Sequence, residues 1–213
     1  VLSTTYRQSS RSEPSSKGDA DNRLYGRFTL QRLDAEALRD TMLATAGTLN
    51  RATYGEPIGI ARDPSGCIVV GMEQLNANRD VVKVVSRGKE DFRRSIYVQV
   101  RRKTPLTVLE TFDQPSMVPN CDLRSCTTVA PQSLLLMNDT FVLETARALA
   151  PRLRNEVQGD ARGQIAKAWR ILDAQEPKEA DILRGLAYLA EQTEAVRSYH
   201  HDIQHAKDAP APD

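Results

Sequence analysis

Three apolar patterns of helical period follow one another in the second half of this chain. Phe141, Thr145, Ala148, Leu149 and Leu153 mark the first. Ile165, Ala168, Trp169 and Leu172 mark the second, and Ile182, Leu183, Leu186, Leu189 and Ala190 the third, which starts at Pro177. Steps of three and four residues put each set on one face of a helix. The breaks between them are short, so the three helices are predicted to pack as an antiparallel unit. Beyond about Thr193 the sequence turns polar and ends in Pro and Asp, which predicts a disordered tail over 193–213 behind a single domain of residues 1–192.

The first half mixes elements. Leu33 to Leu49 predicts a helix capped by Asp34, with Leu38, Met42, Ala46 and Leu49 on one face. Gly47 comes early for a cap, so the last turn is expected to fray. Ser9 to Asn22 and Tyr54 to Gly66 are turn-rich. Cys67 to Met72, Val81 to Val85 and Ser95 to Arg101 are rich in β-branched residues and predict three short strands of a small antiparallel sheet. Pro105 to Phe112 predicts a short helix opening on proline. Pro115 to Thr128 predicts a long loop, and Pro131 to Met137 a compact helix whose following Asn138-Asp139 caps the next. The fold class is therefore mainly α with a small antiparallel β-sheet (α+β), closed by the helical unit.

Aromatics make up only 5% of the 213 residues, so the core must be aliphatic. The 29 Lys and Arg nearly cancel the 28 Asp and Glu, which argues against a dedicated nucleic-acid binder. No run approaches the roughly 18 apolar residues of a membrane span. The chain lacks an initiator methionine and opens on Val1-Leu2-Ser3, so it is expected to be a piece of a longer protein. Cys67, Cys121 and Cys126 are an odd number; a Cys121–Cys126 bridge fits the short loop between them, and free thiols are the plainer expectation.

Residues of catalytic or binding type concentrate between Arg93 and Asn138. Alternation along Ser95 to Arg101 would put Arg94 and Arg102 on the core side with Ile96, Val98 and Val100. A guanidinium near a core needs a carboxylate or carbonyls, so Arg94 is expected to pair with Glu110 or Asp113, or to line an anion pocket. Glu110 and Asp113, three apart, would share a helix face and are the candidate catalytic carboxylates; the structural alternative is a turn cap and an ion pair. Arg124, Gln132 and Asn138 are candidate ligand-binding residues, with capping by Gln132 and Asn138 the alternative. His200, His201 and His205 all lie in the tail, so neither Cys121 nor a serine has a histidine base to work with. No metal site, P-loop or dinucleotide fingerprint is present.

Tyr6-Arg7-Gln8-Ser9-Ser10, Asn22-Arg23-Leu24, Arg32-Leu33-Asp34-Ala35-Glu36 with Arg39-Asp40, Arg93-Arg94-Ser95-Ile96-Tyr97, Phe112-Asp113, Cys121 and Thr127-Thr128-Val129-Ala130-Pro131-Gln132 with Asn138 stand in a particular order. That order resembles the planctomycete-type cytochrome-associated domain, domain-of-unknown-function family 1553, to about Gln192. Cys126 departs from the family pattern, and the middle portion, Ala61 to Val85, is shortened. The resemblance implies an envelope or periplasmic protein with upstream domains, one of them a haem-binding cytochrome c domain. This chain has no Cys-x-x-Cys-His motif, so no cofactor is expected within it. The function implied is a non-catalytic scaffold or ligand-binding module; the alternative is a hydrolase or oxidoreductase acting on carbohydrate or another anionic substrate.

Overall fold

The computed structural model describes residues 3–10, 19, 21–77, 81–115, 124 and 126–208. Helix α1 spans Ala35–Ala46, followed by strands β1 (Ile60–Arg62), β2 (Ile68–Val70), β3 (Met72–Leu75) and β4 (Val81–Val85). Two 3-10 turns, Gly88–Phe92 and Ser95–Tyr97, lead to α2 (Thr107–Thr111). Then come α3 (Ala130–Asn138), α4 (Thr140–Glu156), α5 (Ala161–Asp173) and α6 (Glu179–Asp208). The class is α+β, mainly α. Among the described residues no helix is long and apolar enough to cross a membrane.

The core is aliphatic, as the composition requires. Ala35, Ile58, Ile60, Val98, Leu106, Val108, Leu109 and Phe112 form one buried cluster, with Leu38, Ile68, Val70, Leu135 and Phe141 packed around it. Burying each large aliphatic side chain here contributes about 2 kcal/mol. Helix α1 lies between α2 and α4, while α4, α5 and α6 pack in sequence. Phe141, Thr145, Ala148, Leu149 and Leu153 all turn inward on α4. On α6 only Ile182 and Leu186 of the expected face do so; Leu183 and Leu189 are exposed. Helix α6 also runs on through Thr193 to Asp208, where the polar composition predicts a tail. Good helix formers such as Glu, Ala and Arg favour it, and its residues from Thr193 to Tyr199 are exposed.

Several expectations are corrected. Gly47 ends α1: at φ 78° it adopts the left-handed conformation, and its N–H returns to the Ala44 carbonyl, leaving Leu49 outside the helix. Arg152 of α4 donates to the carbonyls of Ala44 and Thr45 at that end. The buried face of α1 is Ala35, Arg39, Leu43 and Ala46; of the expected face Ala46 is buried, Leu38 packs against the core and Met42 is only half-buried.

The single three-stranded sheet is replaced by two antiparallel pairs, β1 with β2 (Ala61 opposite Val69) and β3 with β4 (Glu73 opposite Val84). The break falls at Gly71, φ 143°, where an added Cβ would sit 2.4 Å from Val84 Cγ1 and 3.0 Å from the Val85 carbonyl. Only glycine tolerates that backbone.

Ser95 to Arg101 is not a strand. Its Val98 forms an isolated parallel bridge with Ile58, and the rest is turn and extended chain. Cys67 is a half-buried thiol and Cys126 an exposed one. Cys121, and with it the expected bridge, lies outside the described residues, as does most of the loop 115–128.

Candidate functional site

Two arginines sit in the interior, and the chain folds around them. Arg39 is 1% exposed. Its Nη2 donates to the Asp91 carbonyl (2.8 Å), and its Nη1 to the Arg93 carbonyl (3.0 Å) and Ser95 Oγ (3.3 Å). The guanidinium also stacks 5.5 Å from the Phe141 ring. Burial pulls its pKa down to about 10, against the opposing pull of Asp40 and Asp91, so it stays charged at neutral pH. Arg93, 2% exposed, donates to the carbonyls of Glu56 (2.9 Å) and Tyr54 and stacks 4.0 Å over Tyr97. Strand alternation pointed to Arg94 as the buried member. The 3-10 turn at Ser95–Tyr97 inverts the phase, leaving Arg94 61% exposed and Ile96 74% exposed.

Asp40 sets that turn. Its Oδ1 accepts from the backbone N–H and the hydroxyl of Ser95, both at 2.7 Å, and its Oδ2 lies 3.5 Å from Arg94 Nε. Arg94 therefore pairs with Asp40, not with Glu110 or Asp113. Above this contact opens a cleft of about 450 Å³ between α1, residues 94–101 and the start of α2. Val98, Leu106 and Leu109 form its floor. Arg94, Arg101 and Arg124 stand around it with Asp34, Glu36 and Asp40.

Two candidate binding residues, Arg94 and Arg124, thus meet here. Arg124 forks onto Glu36 (2.7 and 3.2 Å) and lies 3.6 Å from Asp34. Burial raises the Glu36 pKa, but its bond from Arg124, its own backbone N–H and the Arg124 charge together outweigh that, and the net shift is downward. Arg101 lies 4.0 Å from Glu73.

The other candidates serve the frame. Helix α2 ends at Thr111, and Asp113 sits beyond it at φ 65°, so it does not share a helix face with Glu110. Glu110 is exposed. Asp113 accepts from Thr127 N–H and Oγ1, both at 2.8 Å, and faces Arg32 at 3.6 Å. Gln132 is buried; it accepts from Val129 N–H and donates to the carbonyls of Thr111 and Thr127, stitching α3 to the end of α2. Asn138 Nδ2 donates to Leu134 O within α3. Asp139, not Asn138, caps α4 through Phe141 N–H.

The Thr127 backbone N–H, and next its hydroxyl, hold the Asp113 carboxyl below its ordinary 3.8, with Arg32 adding to the effect against the upward push of burial. A carboxylate whose pKa is lowered on folding stabilises the fold above the unfolded value and loses that contribution as pH falls through the folded one. Asn accepts the same positive φ, so Asp113→Asn isolates the charge. Urea midpoints are expected to favour wild type at pH 7 and to converge as pH drops below 3.8. A gap independent of pH would show that the charge contributes nothing.

Arg39 and Arg93 were missed because the face expected for α1 ran through apolar residues only, and because strand alternation put Arg94 inward in place of its neighbour. The available signal was position: Arg39 lies four residues from both Ala35 and Leu43, on the face the helix buries. No curated protein and no solved structure matches the chain. A family model described as PSD1, protein of unknown function (DUF1553), matches residues 1–189. That span holds α1 through the start of α6, with both interior arginines and the whole cleft, and the chain belongs to the DUF1553 family.

Proposed function

We propose that this domain is a non-catalytic binding module whose arginine cleft takes an anionic ligand, with sugar acids the best chemical fit. One observation carries the reading: three guanidiniums, two from the segment 94–101 and one from Arg124, surround one cleft, and two of them are weakly engaged. Among the described residues Arg94 has a single 3.5 Å ion contact and Arg101 a single 4.0 Å one. Both retain N–H groups for a carboxylate, sulfate or phosphate. Asp34 and Glu36 nearby can accept hydrogen bonds from hydroxyls, which suits a ligand bearing both an acid group and hydroxyls. Neither Glu110 nor Asp113 lines the cleft, which favours binding over catalysis. The envelope setting, the upstream partner domains and a haem held by a cytochrome c domain outside this chain belong to the same proposal, on the strength of the family resemblance.

Calorimetric titration with glucuronate, sulfate and inorganic phosphate tests it. Arg94 and Arg101 are exposed, and removing their surface pairs is expected to change stability by only about 1 kcal/mol. The double variant Arg94→Ala, Arg101→Ala is therefore expected to fold and to bind glucuronate about tenfold or more weakly. Equal binding by wild type and variant, or no binding of any of the three anions, overturns the assignment.

A further inference from the structure

A second cleft, of about 430 Å³, opens between β2, β4, the segment Ser86–Phe92 and the start of α4. It shares only Leu106 with the arginine cleft. Its volume falls within the range of small-molecule sites. The walls are apolar: Ile68, Val70, Val84, Val108 and Phe141. Its charges do not balance, since Asp63, Asp91, Asp139 and Glu144 stand against Arg39 and Lys83.

Asp91 is the most informative of these. It is 7% exposed, and its Oδ2 accepts from Ser86 Oγ and Arg87 N–H, both at 2.7 Å. Its Oδ1 is buried and, among the described residues, has no hydrogen-bond partner. A carboxylate oxygen left in that state is costly, and its charge acts strongly through the apolar wall above it. Arg39 meets it only through space: its Nη groups donate to two backbone carbonyls and Ser95, and none of these bonds reaches the Asp91 carboxylate.

We propose that this cleft binds a small organic ammonium ion carrying an apolar body. The positive head sits over Asp91 toward Glu144, and the body packs on Val84, Ile68 and Phe141. An anion would meet an excess of two carboxylates. A bare divalent cation would want a ring of oxygen ligands, and among the described residues no group of three metal-ligating side chains converges. An apolar ammonium satisfies both the wall and the unmatched charge. This site is independent of the anion reading above.

Amide NMR titrations of the intact chain with phenethylammonium, 2-phenylethanol and 3-phenylpropanoate test the proposal, because the three share a body and differ in charge. Saturable shifts at Ile68–Val70 and Val84–Ser86 are expected for the ammonium, with the alcohol about tenfold weaker and the carboxylate silent. Glu144 is exposed, so Glu144→Lys is expected to keep the fold and weaken the ammonium several-fold. Asp91→Asn, where it folds, is expected to weaken it about tenfold. Glucuronate binding at the arginine cleft should be unchanged in both variants. Equal affinity for the ammonium and the alcohol, an unaffected Glu144→Lys variant, or an absence of shifts at the cleft overturns the assignment.

Discussion

Replacing Arg39 by methionine is expected to destabilise the fold by about 3–5 kcal/mol. The side-chain volume is nearly kept, so little of the loss comes from packing. It comes from the acceptors left behind. The carbonyls of Asp91 and Arg93 and the hydroxyl of Ser95 all receive their donor from this one guanidinium. Each belongs to a buried residue, although the residues between them reach solvent, and an orphaned buried acceptor costs about 1–3 kcal/mol. Removing the charge also removes its own desolvation cost, visible in a pKa drawn down to about 10. That partial relief keeps the net effect below the sum of three lost bonds. Lysine carries a charge but not the planar fork, so Arg39→Lys should recover no more than about half of the loss. Urea unfolding followed by circular dichroism measures both variants. A loss under about 1 kcal/mol for the methionine variant would mean the carbonyls find other donors, and the organising role of Arg39 would be abandoned.

Arg93→Ala is expected to cost about 3 kcal/mol, and to do so locally. This guanidinium closes the turn at Tyr54-Gly55, where both residues have positive φ, 65° and 94°. Its bonds to the carbonyls of Tyr54 and Glu56, with the Tyr97 ring stacked on its face, hold that turn against residues 93–98. Without them the strained backbone has no reason to persist. Two bonds depend directly on the closure: Ile58 N–H to the Tyr97 carbonyl (2.7 Å) and Gln99 N–H to the Ile58 carbonyl (2.9 Å). Hydrogen exchange should show protection falling at Ile58 and Gln99 well before it falls in α4. Uniform loss across the chain would instead indicate that the turn is no separate unit. Ile58 is among the most buried residues, so opening here also uncovers the core.

The helices were legible because their signal is local. A 3.6-residue period, Pro131 at the start of α3 and Asp139 before α4 are all read from neighbours in the chain. The sheet was less legible. Three-residue strands such as Ile60–Arg62 carry too few residues to show alternation, and Gly71 divides what composition joins into one strand. Ser95 to Arg101 has the alternation of a strand, yet Asp40, 55 residues away, fixes its start as a 3-10 turn. A contact at that separation leaves no trace in periodicity. The site followed the same division. Arg94 and Arg124 were identified and do meet in one cleft, but their carboxylate partners are Asp40 and Glu36 on α1, which local reading did not pair with either. Gln132 was placed at the right helix start, and capping is the use the fold makes of it.

By itself, then, the sequence determined the class, the succession of helices, the aliphatic character of the core and the family. Each rests on composition, on short-range spacing or on the order of motifs. Tertiary structure alone decided which arginines are interior, which carboxylate answers which guanidinium, and that a second, acidic cleft lies beside the first. Burial of a charge is not a property of the residue. It depends on whether carbonyls and carboxylates from distant segments arrive to replace water, and only the folded chain brings them there.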